Sequence, residues 1–272
     1  TGTLLAALPA AQDAQRIYII RLLDEISYRC NSPGQAEQVG AAFLDLLRVA
    51  TKHVRIPIIE TRAITSPLLS DPLKERIAAE LLDEIAQFAN PRMQDLIETA
   101  IVRLGKPALP PIKSAIAQEA CDARHRSACK VAADIVRACD EPYRTNLADD
   151  LLELCLARWK SYPDKNGYLA HAIGQLALAS SAPAEKLREI IDDFRHIILK
   201  TPDPFGVLLG LGCLNASPRL DIPTRFDIAG TFFDLLNATL PELTDKVMVS
   251  PTDDDSEIHQ FGREVTAYTE MI

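Results

Sequence analysis

The chain has 272 residues, 47% of them hydrophobic, and a formal net charge of −9 at pH 7. This length suffices for one large domain or two small ones, and the acidic balance disfavours a general binder of nucleic acid. No stretch approaches the roughly 20 consecutive apolar residues that a membrane-spanning helix needs. Aromatic residues make up only 6% of the chain, so Leu, Ile and Ala must fill the core, as they do in helical proteins.

Apolar residues recur with helical spacing along most of the chain, and no sustained alternation of period two predicts a strand. Residues 53–67 are an exception, because Pro57 stands where a helix should continue, and we expect an irregular unit there. In residues 73–89, "LKERIAAELLDEIAQFA", the apolar side chains share one stripe with charged side chains opposite. Residues 147–159 and 185–199 follow the same pattern. These segments predict an all-α protein.

Residues 103–116, "RLGKPALPPIKSAI", interrupt the helical pattern with a glycine and three prolines. Gly105 fits the residue just past a helix end, where a positive φ is needed. Pro107 fits the first turn of the next helix, whose N–H groups have no partner within the helix. Pro111 moves the expected start of that helix to about residue 109. The stretch therefore predicts a tight turn between two antiparallel helices.

Prolines that could open a helix return at intervals of 35 to 41 residues. They are Pro33, Pro72, Pro107, Pro142, Pro183 and Pro223. After Pro72, Pro142 and Pro223 the residues at offsets 5, 9, 10 and 13 are all apolar. The unit that begins at Pro107 matches at three of these offsets and has Ala117 at offset 10. The units that begin at Pro33 and Pro183 match after a one-residue shift in opposite directions. The predicted core stripe contains Ile77, Leu81, Leu82, Ile85, Leu147, Leu151, Leu152, Cys155, Ile228, Phe232, Phe233 and Leu236.

Each unit also has room for a helix before its proline, so two helices occupy roughly 38 residues, as in an α-solenoid. The turn "LGKPALPPI" at 104–112 and the pattern of Arg126, Ala128, Ala132 and Ile135 resemble the HEAT-repeat and armadillo-like family. The resemblance implies a right-handed α-solenoid of about six helix pairs over residues 1–239. It also implies that the second helix of each pair lines a concave binding side, and that the protein is a non-enzymatic scaffold.

Residues 240–272 hold eight acidic and two basic residues and are expected to form a separate acidic segment. The stretch "SPTDDDSE" at 250–257 has the composition of a solvated loop or linker. A short terminal helix or a connection to a further domain would follow it. Asp253, Asp255 and Glu257 alternate as at the start of a calcium loop, but the glycine and distal glutamate of such a loop are missing.

Six cysteines lie mostly in helix-like apolar stretches, without the short spacing of a disulfide scaffold. They are expected to be reduced thiols of a cytoplasmic protein. Cys121, His125 and Cys129 share one helical stripe and suggest a zinc site. All three on one straight helix would span about 12 Å, too far for a single ion, although two of them with a ligand from another helix would suffice. We favour packing for these residues and predict no metal or cofactor.

Two further patterns suggest chemistry that we do not favour. Gly206, Gly210 and Gly212 lack the preceding strand and the G-x-G-x-x-G order of a dinucleotide-binding loop, so close approach of two helices explains them better. Adjacent carboxylates such as Asp149 and Asp150 point about 100° apart on a helix, which predicts a solvated face instead of an acid–base pair. We predict no catalytic residue.

Residues 103–137 are the most positively charged part of the chain, with seven basic and three acidic residues. An acidic peptide or a phosphate would bind there if these side chains converge, whereas helical rotation would scatter them over several faces. The HEAT resemblance adds basic residues of the second helices. The candidate partner-binding residues are Arg103, Lys106, Lys113, Arg124, Arg126, Lys130, Arg144, Arg188 and Arg225.

Two other functions are compatible with the HEAT resemblance. Alkylpurine DNA glycosylases are built from HEAT-like repeats and bind duplex DNA in a basic groove, but a net charge of −9 opposes that function here. Accessory subunits of lyases, such as the bilin lyase subunits, are also HEAT-like. We expect a protein or peptide partner that is acidic where it meets the basic candidates, with nucleic acid disfavoured and no membrane involved.

Overall fold

The computed structural model describes residues 1–30, 32–88, 90–118, 123–161, 167–198, 200–201 and 204–234. All regular elements within these ranges are helical, which confirms the all-α prediction. None of the described helices combines the length and the apolar character needed to cross a membrane. Contacts divide the chain into two compact units, Thr1–Ala138 and Cys139–Ile272. The predicted acidic segment 240–272, with its calcium-like stretch, and Leu236 of the predicted core lie outside the described residues.

The first unit contains eight α-helices within the residues that the structure describes. They are α1 (Gly2–Ala7), α2 (Asp13–Cys30), α3 (Pro33–Val49), α4 (Lys52–Glu60), α5 (Asp71–Ile85), α6 (Pro91–Leu104), α7 (Leu109–Ala117) and α8 (Ala123–Ala138). α4 packs on both α2 and α6, and α6 packs on α8. α5 packs on both α3 and α7. Helices two places apart in the chain are therefore neighbours in this unit.

The second unit contains five helical stretches in its described part. They are α9 (Tyr143–Ser161), α10 (Gly167–Ala179), α11 (Ala184–Ile197), α12 (Pro204–Asn215) and 222–234, which is called α13 below. α10 packs on α9 and, over a longer contact, on α12, and α12 also packs on α11.

Five of the six predicted prolines lie directly at helix starts. Pro33 is the first residue of α3 and Pro72 the second residue of α5. Pro142 and Pro183 immediately precede α9 and α11, and Pro223 is the second residue of α13. The fixed φ of proline suits the first helical turn, whose N–H groups have no intrahelical acceptor. The helices that these prolines and Pro107 introduce (α3, α5, α7, α9, α11 and α13) are called the proline-led helices below.

The turn between α6 and α7 has the local geometry predicted for Gly105 and for the start of α7. Gly105 follows the last residue of α6 with a φ of 69°, and its N–H donates to the carbonyl oxygen of Val102 at 3.1 Å. A short 3-10 turn that contains Pro107 comes next. α7 then begins at Leu109 with two further prolines in its first turn, where a missing N–H breaks no helical hydrogen bond.

The unit that contains Pro57 is irregular, as predicted. Pro57 lies inside α4, which is only nine residues long. A 3-10 turn at Ala63–Thr65 then replaces the regular connection to α5. The N–H of Ala63 donates to Oδ1 of Asp24 on α2 at 2.9 Å, and this hydrogen bond attaches the 3-10 turn to α2.

The predicted core stripe is buried with one exception. The buried members are Ile77, Leu81, Leu82, Ile85, Leu147, Leu151, Leu152, Cys155, Ile228 and Phe232. Phe233 is instead 49% exposed and lies outside the buried stripe of α13. Ala117 is exposed on α7. In α11 the buried residues Leu187 and Ile191 fit the predicted one-residue shift, whereas Ile190, Ile191 and Phe194 fit a shift of two.

A guanidinium group closes the C-terminal end of α10. Arg219 donates through Nη2 to the carbonyl oxygen of Ala177 at 2.5 Å. Its Nη1 donates to the carbonyl oxygens of Ser180 and Ala182 at 2.8 and 2.7 Å. Carbonyls of a last helical turn have no intrahelical donor, and a positive charge is favourable there. Arg219 thereby attaches the chain that follows α12 to α10.

Glycines let the backbones of α10 and α12 touch. A Cβ atom on Gly210 would lie 2.5 Å from the carbonyl oxygen of Ala170 and 2.8 Å from Cε2 of Phe194. A Cβ atom on Gly206 would lie 2.8 Å from the Cα of Gly167. No side chain fits at such distances in a close-packed interior. The interpretation of Gly206 and Gly210 as residues of close helix approach is therefore confirmed.

We predict that Gly210→Ala lowers the free energy of unfolding by about 1–3 kcal/mol or more, because the new methyl group would overlap the α10 backbone. Gly230→Ala is the matched control, since a Cβ atom on Gly230 of α13 meets nothing within 4 Å. Its better helix propensity should raise stability by up to about 1 kcal/mol. Urea unfolding followed by circular dichroism measures both changes. Equal effects of the two substitutions would contradict the close contact of α10 and α12.

Candidate interaction surface

The nine basic candidates are distributed over both units. Arg103, Lys106, Lys113, Arg124, Arg126 and Lys130 lie in the first unit, and Arg144, Arg188 and Arg225 lie in the second. Arg103, Lys106 and Arg126 are exposed, whereas Lys113 and Arg124 are half-buried. Arg103 and Lys106 flank the turn after α6, and Arg126 is on α8.

Two candidates of the first unit bind carboxylates of neighbouring helices. Arg124 Nη2 lies 3.2 Å from Oδ1 of Asp83 on α5. Lys130 Nζ lies 2.6 Å from Oε2 of Glu98 and 3.0 Å from Oδ1 of Asp95, both on α6. Partial burial lowers the pKa of Lys130, but the hydrogen bonds to Glu98 and Asp95 outweigh it and raise that pKa. Lys130 therefore already has acidic partners within its own unit.

The three candidates of the second unit are also engaged. Arg144 Nη2 lies 2.8 Å from Oε1 of Glu141, and Arg188 Nη2 lies 2.9 Å from Oδ2 of Asp221. Arg225 donates through Nη2 to the carbonyl oxygen of Ser217 at 2.7 Å. Binding of an acidic partner would have to compete with these contacts.

One kind of contact recurs between successive proline-led helices. Ser70, two residues before Pro72, donates through its N–H and Oγ to Glu37 on α3, at 2.9 and 2.6 Å. Ser181, two residues before Pro183, donates in the same way to Asp149 on α9, at 2.8 and 2.7 Å.

The third contact of this kind uses an ion pair. Asp221 lies two residues before Pro223 and binds Arg188 on α11. The position two residues before Pro72, Pro183 and Pro223 thus contacts the preceding proline-led helix. The hydrogen bonds from Ser70 lower the pKa of Glu37, as expected for a carboxylate stabilised in its charged form.

A buried ion pair joins α4 to α5. Glu84 is 1% exposed, and its Oε1 lies 2.7 Å from Nη1 of Arg55. Arg55 also donates to the carbonyl oxygen of Ala50 and to Oε1 of Gln87. Within the described part of the chain, Glu84 Oε2 has no hydrogen-bond partner. Burial raises the pKa of Glu84 more than the hydrogen bond from Arg55 lowers it, so the charge on this carboxylate is tolerated at a cost.

Residues that suggested catalysis or metal binding have other contacts where the structure describes them. Asp149 accepts hydrogen bonds from Ser181, whereas the adjacent Asp150 is exposed on α9. Another adjacent pair, Asp83 and Glu84, does not share a site either, because Asp83 binds Arg124 and Glu84 is buried beside α4. His125 is buried on α8 with Nε2 3.2 Å from the carbonyl oxygen of Ile116. Cys129 is buried on the same helix, and Cys121 lies outside the described residues. Among the side chains that the structure describes, no group of three or more is arranged to hold a metal ion.

Polar side chains line an open depression between the end of α4 and the start of α6. Its lining consists of Glu60, Asn90, Arg92, Met93, Asp95, Leu96 and Thr99. Both charge signs are present, and Asp95 is already bound to Lys130. This arrangement offers neither a nucleophile beside a base nor a convergent set of hydrogen-bond donors.

α9 and α11 expose equivalent stripes of mainly acidic side chains. A spacing of 39 residues maps the buried Leu151 and Leu152 of α9 onto the buried Ile190 and Ile191 of α11. The same spacing maps the exposed Asn146, Asp150 and Glu153 onto the exposed Glu185, Glu189 and Asp192. The two helices therefore present matching faces to solvent.

The corresponding face of α13 carries aromatic residues in place of the acidic ones. A spacing of 41 residues maps the buried Leu187 and Ile191 of α11 onto Ile228 and Phe232. It also maps the exposed residues Glu185, Glu189 and Asp192 onto Phe226, Gly230 and Phe233. We did not identify this aromatic stripe from the sequence, because the proline offsets place Phe233 in the core. The helical spacing of Phe226 and Phe233 was the available signal.

Comparison of this chain with models of protein families, with curated proteins and with solved structures finds no match. The resemblance to HEAT repeats therefore rests on the pattern within the chain itself.

We predict that Arg55→Met destabilises the protein by about 3–5 kcal/mol at neutral pH, because it leaves the charge of Glu84 buried and unpaired. Glu84 has a raised pKa in the folded state, so its contribution to stability is full below the unfolded pKa of about 4.3 and is lost as pH rises through the folded value. Removing Arg55 raises the folded pKa further and extends this loss to higher pH. Urea unfolding at acidic, neutral and alkaline pH measures it.

Two variants control this prediction. Arg55→Met combined with Glu84→Leu should recover most of the stability and lose this pH dependence, because a buried apolar pair can replace a buried ion pair. Arg48→Met breaks the exposed pair with Glu80 between α3 and α5 and should cost at most about 1 kcal/mol. A double variant as unstable as Arg55→Met alone would refute the role assigned to Glu84.

Proposed function

We propose that this chain is a HEAT-like helical-repeat protein that acts as a non-enzymatic scaffold and binds another protein along its proline-led helices. The observation that carries the proposal is the packing of helices two places apart. In the first unit α2, α4, α6 and α8 are successive neighbours, and so are α3, α5 and α7. Stacked helix pairs produce two such series, because each pair buries its apolar side against the next pair.

The recurring contacts before the helix-opening prolines support a repeated unit. Ser70, Ser181 and Asp221 hold one position relative to their prolines, and each binds the preceding proline-led helix. A repeat explains this recurrence, since equivalent positions of successive repeats meet equivalent neighbours. The local geometry of Gly105 and α7 fits the turn inside such a pair.

A protein partner is the ligand that such a surface suits. Repeat proteins expose extended faces of side chains from successive repeats, and α9, α11 and α13 expose equivalent stripes here. DNA binding would rely on the basic candidates, but Arg124 and Lys130 already neutralise Asp83, Asp95 and Glu98. Fewer cations are therefore available for phosphates.

Site-specific photo-cross-linking in cells of the source organism tests the proposal. The photoreactive residue benzoylphenylalanine is placed in the full chain at Gln38 of α3 or Asn146 of α9, both exposed on proline-led helices. Tyr18 of α2 and Thr99 of α6, exposed on the intervening helices, are the control positions.

We expect a common partner protein to be cross-linked from the proline-led positions and not from the controls. The purified partner should then bind the purified chain with a measurable Kd. Equal cross-linking from all four positions, or a complete lack of cross-linked protein, would argue against the proposed scaffold.

A further inference from the structure

α13 exposes a continuous apolar stripe. Ile222, Phe226 and Phe233 are 69%, 72% and 49% exposed. At 100° per residue their side chains fall within about 40° of one another around the helix. Their stripe lies on a different side of the helix from the buried Ile228 and Phe232. Adjacent apolar side chains of this size on a surface are typical of an interaction site.

α11 exposes a stripe of negative charge beside it. Glu185, Glu189 and Asp192 are exposed and lie on one side of the helix. No Lys or Arg in the described ranges of the chain lies within 4.0 Å of these three carboxylates, by contrast with Glu153 on α9, which binds Lys186. Their charges are therefore available to a ligand.

The two stripes occupy equivalent positions on α11 and α13, which an ion pair connects. Arg188 Nη2 of α11 lies 2.9 Å from Oδ2 of Asp221, which brings the first turn of α13 against α11. The spacing of 41 residues that matches their buried sides also places Phe226 and Phe233 at the positions of Glu185 and Asp192. Packed helices lie about 8–10 Å apart, so one ligand helix can contact both stripes.

We infer that the α11–α13 face is a docking site for a basic amphipathic helix of a partner protein. Apolar side chains of that helix would cover Ile222, Phe226 and Phe233, and its Lys or Arg side chains would lie over Glu185, Glu189 and Asp192. The inference rests on the scaffold function proposed above and adds the chemistry of the partner.

Charge favours a basic helix of a partner protein over two other ligands of this face, which are residues 240–272 and a second copy of the chain. Residues 240–272 of the same chain hold eight acidic and two basic residues, so they would bring like charge to the acidic stripe. A second copy of the chain, docked through the same face, would bring another acidic stripe against the first.

Fluorescence anisotropy with a labelled probe peptide tests the site on the full chain. The probe is a designed helix of about 16 residues with leucines on one side and lysines on the other, and a version with glutamates in place of lysines is its control. We expect the lysine peptide to bind and the glutamate peptide not to bind. Its affinity should fall between about 50 and about 300 mM salt, because screening weakens exposed charge pairs.

Two pairs of variants locate the binding. Phe226→Ser with Phe233→Ser removes the aromatic stripe, and Glu189→Lys with Asp192→Lys reverses the acidic one. Each should weaken the lysine peptide by about tenfold or more. Tyr18→Ser, at another exposed aromatic residue, and Asp45→Lys with Glu75→Lys, which changes the net charge equally, should leave the affinity unchanged. Unaltered circular dichroism shows that each variant is folded.

Several results would overturn the inference. They are binding of both peptides alike, weakening by the control variants, and no binding of the lysine peptide. Benzoylphenylalanine at Phe226 identifies what binds the face. Cross-links into residues 240–272 or into a second copy of the chain would show that this chain, and not a partner protein, covers it. If Gln38 or Asn146 still cross-links a partner while the lysine peptide fails to bind, the scaffold function stands and only this docking site is refuted.

Discussion

Burial of one apolar stripe on each proline-led helix is the interaction on which this structure depends. α5 illustrates it, since Ile77, Leu81 and Leu82 are fully buried and α3, α6, α7 and α8 all pack against that helix. The described residues form no sheet that could cover the stripe, so nearby helices have to cover it. In the second unit, Gly206 and Gly210 let the backbones of α10 and α12 pack directly against each other.

Apolar burial has no direction, so polar contacts have to fix how the helices are placed along one another. Glu98 is buried on α6 and accepts hydrogen bonds from Ser127 and Lys130 on α8. Glu84 and Arg55 form a comparable connection between α5 and α4. Such groups are costly to bury unless they are paired, which restricts the helices to arrangements that keep the pairs intact.

The surface of the second unit combines a constant framework with variable chemistry. α11 and α13 bury matching positions, yet the exposed positions that carry Glu185 and Asp192 on α11 carry Phe226 and Phe233 on α13. Exposed residues of a helix contribute little to its packing, so they can differ between helices without loss of the fold. The buried stripes therefore keep these helices in place, and the exposed stripes are free to differ in chemistry.

The sequence by itself determined the features that obey local rules. Pro33 and Pro72 mark helix starts and Gly105 marks a helix end, because proline fixes φ and glycine tolerates a positive φ wherever they occur. Only the tertiary structure decided that Lys130 binds Glu98, and that Phe233 faces solvent. Side chains 32 residues apart, as Lys130 and Glu98 are, meet only after their helices pack. Sequence periodicity gives the stripe on each helix, but which side becomes covered depends on the neighbours that the fold supplies.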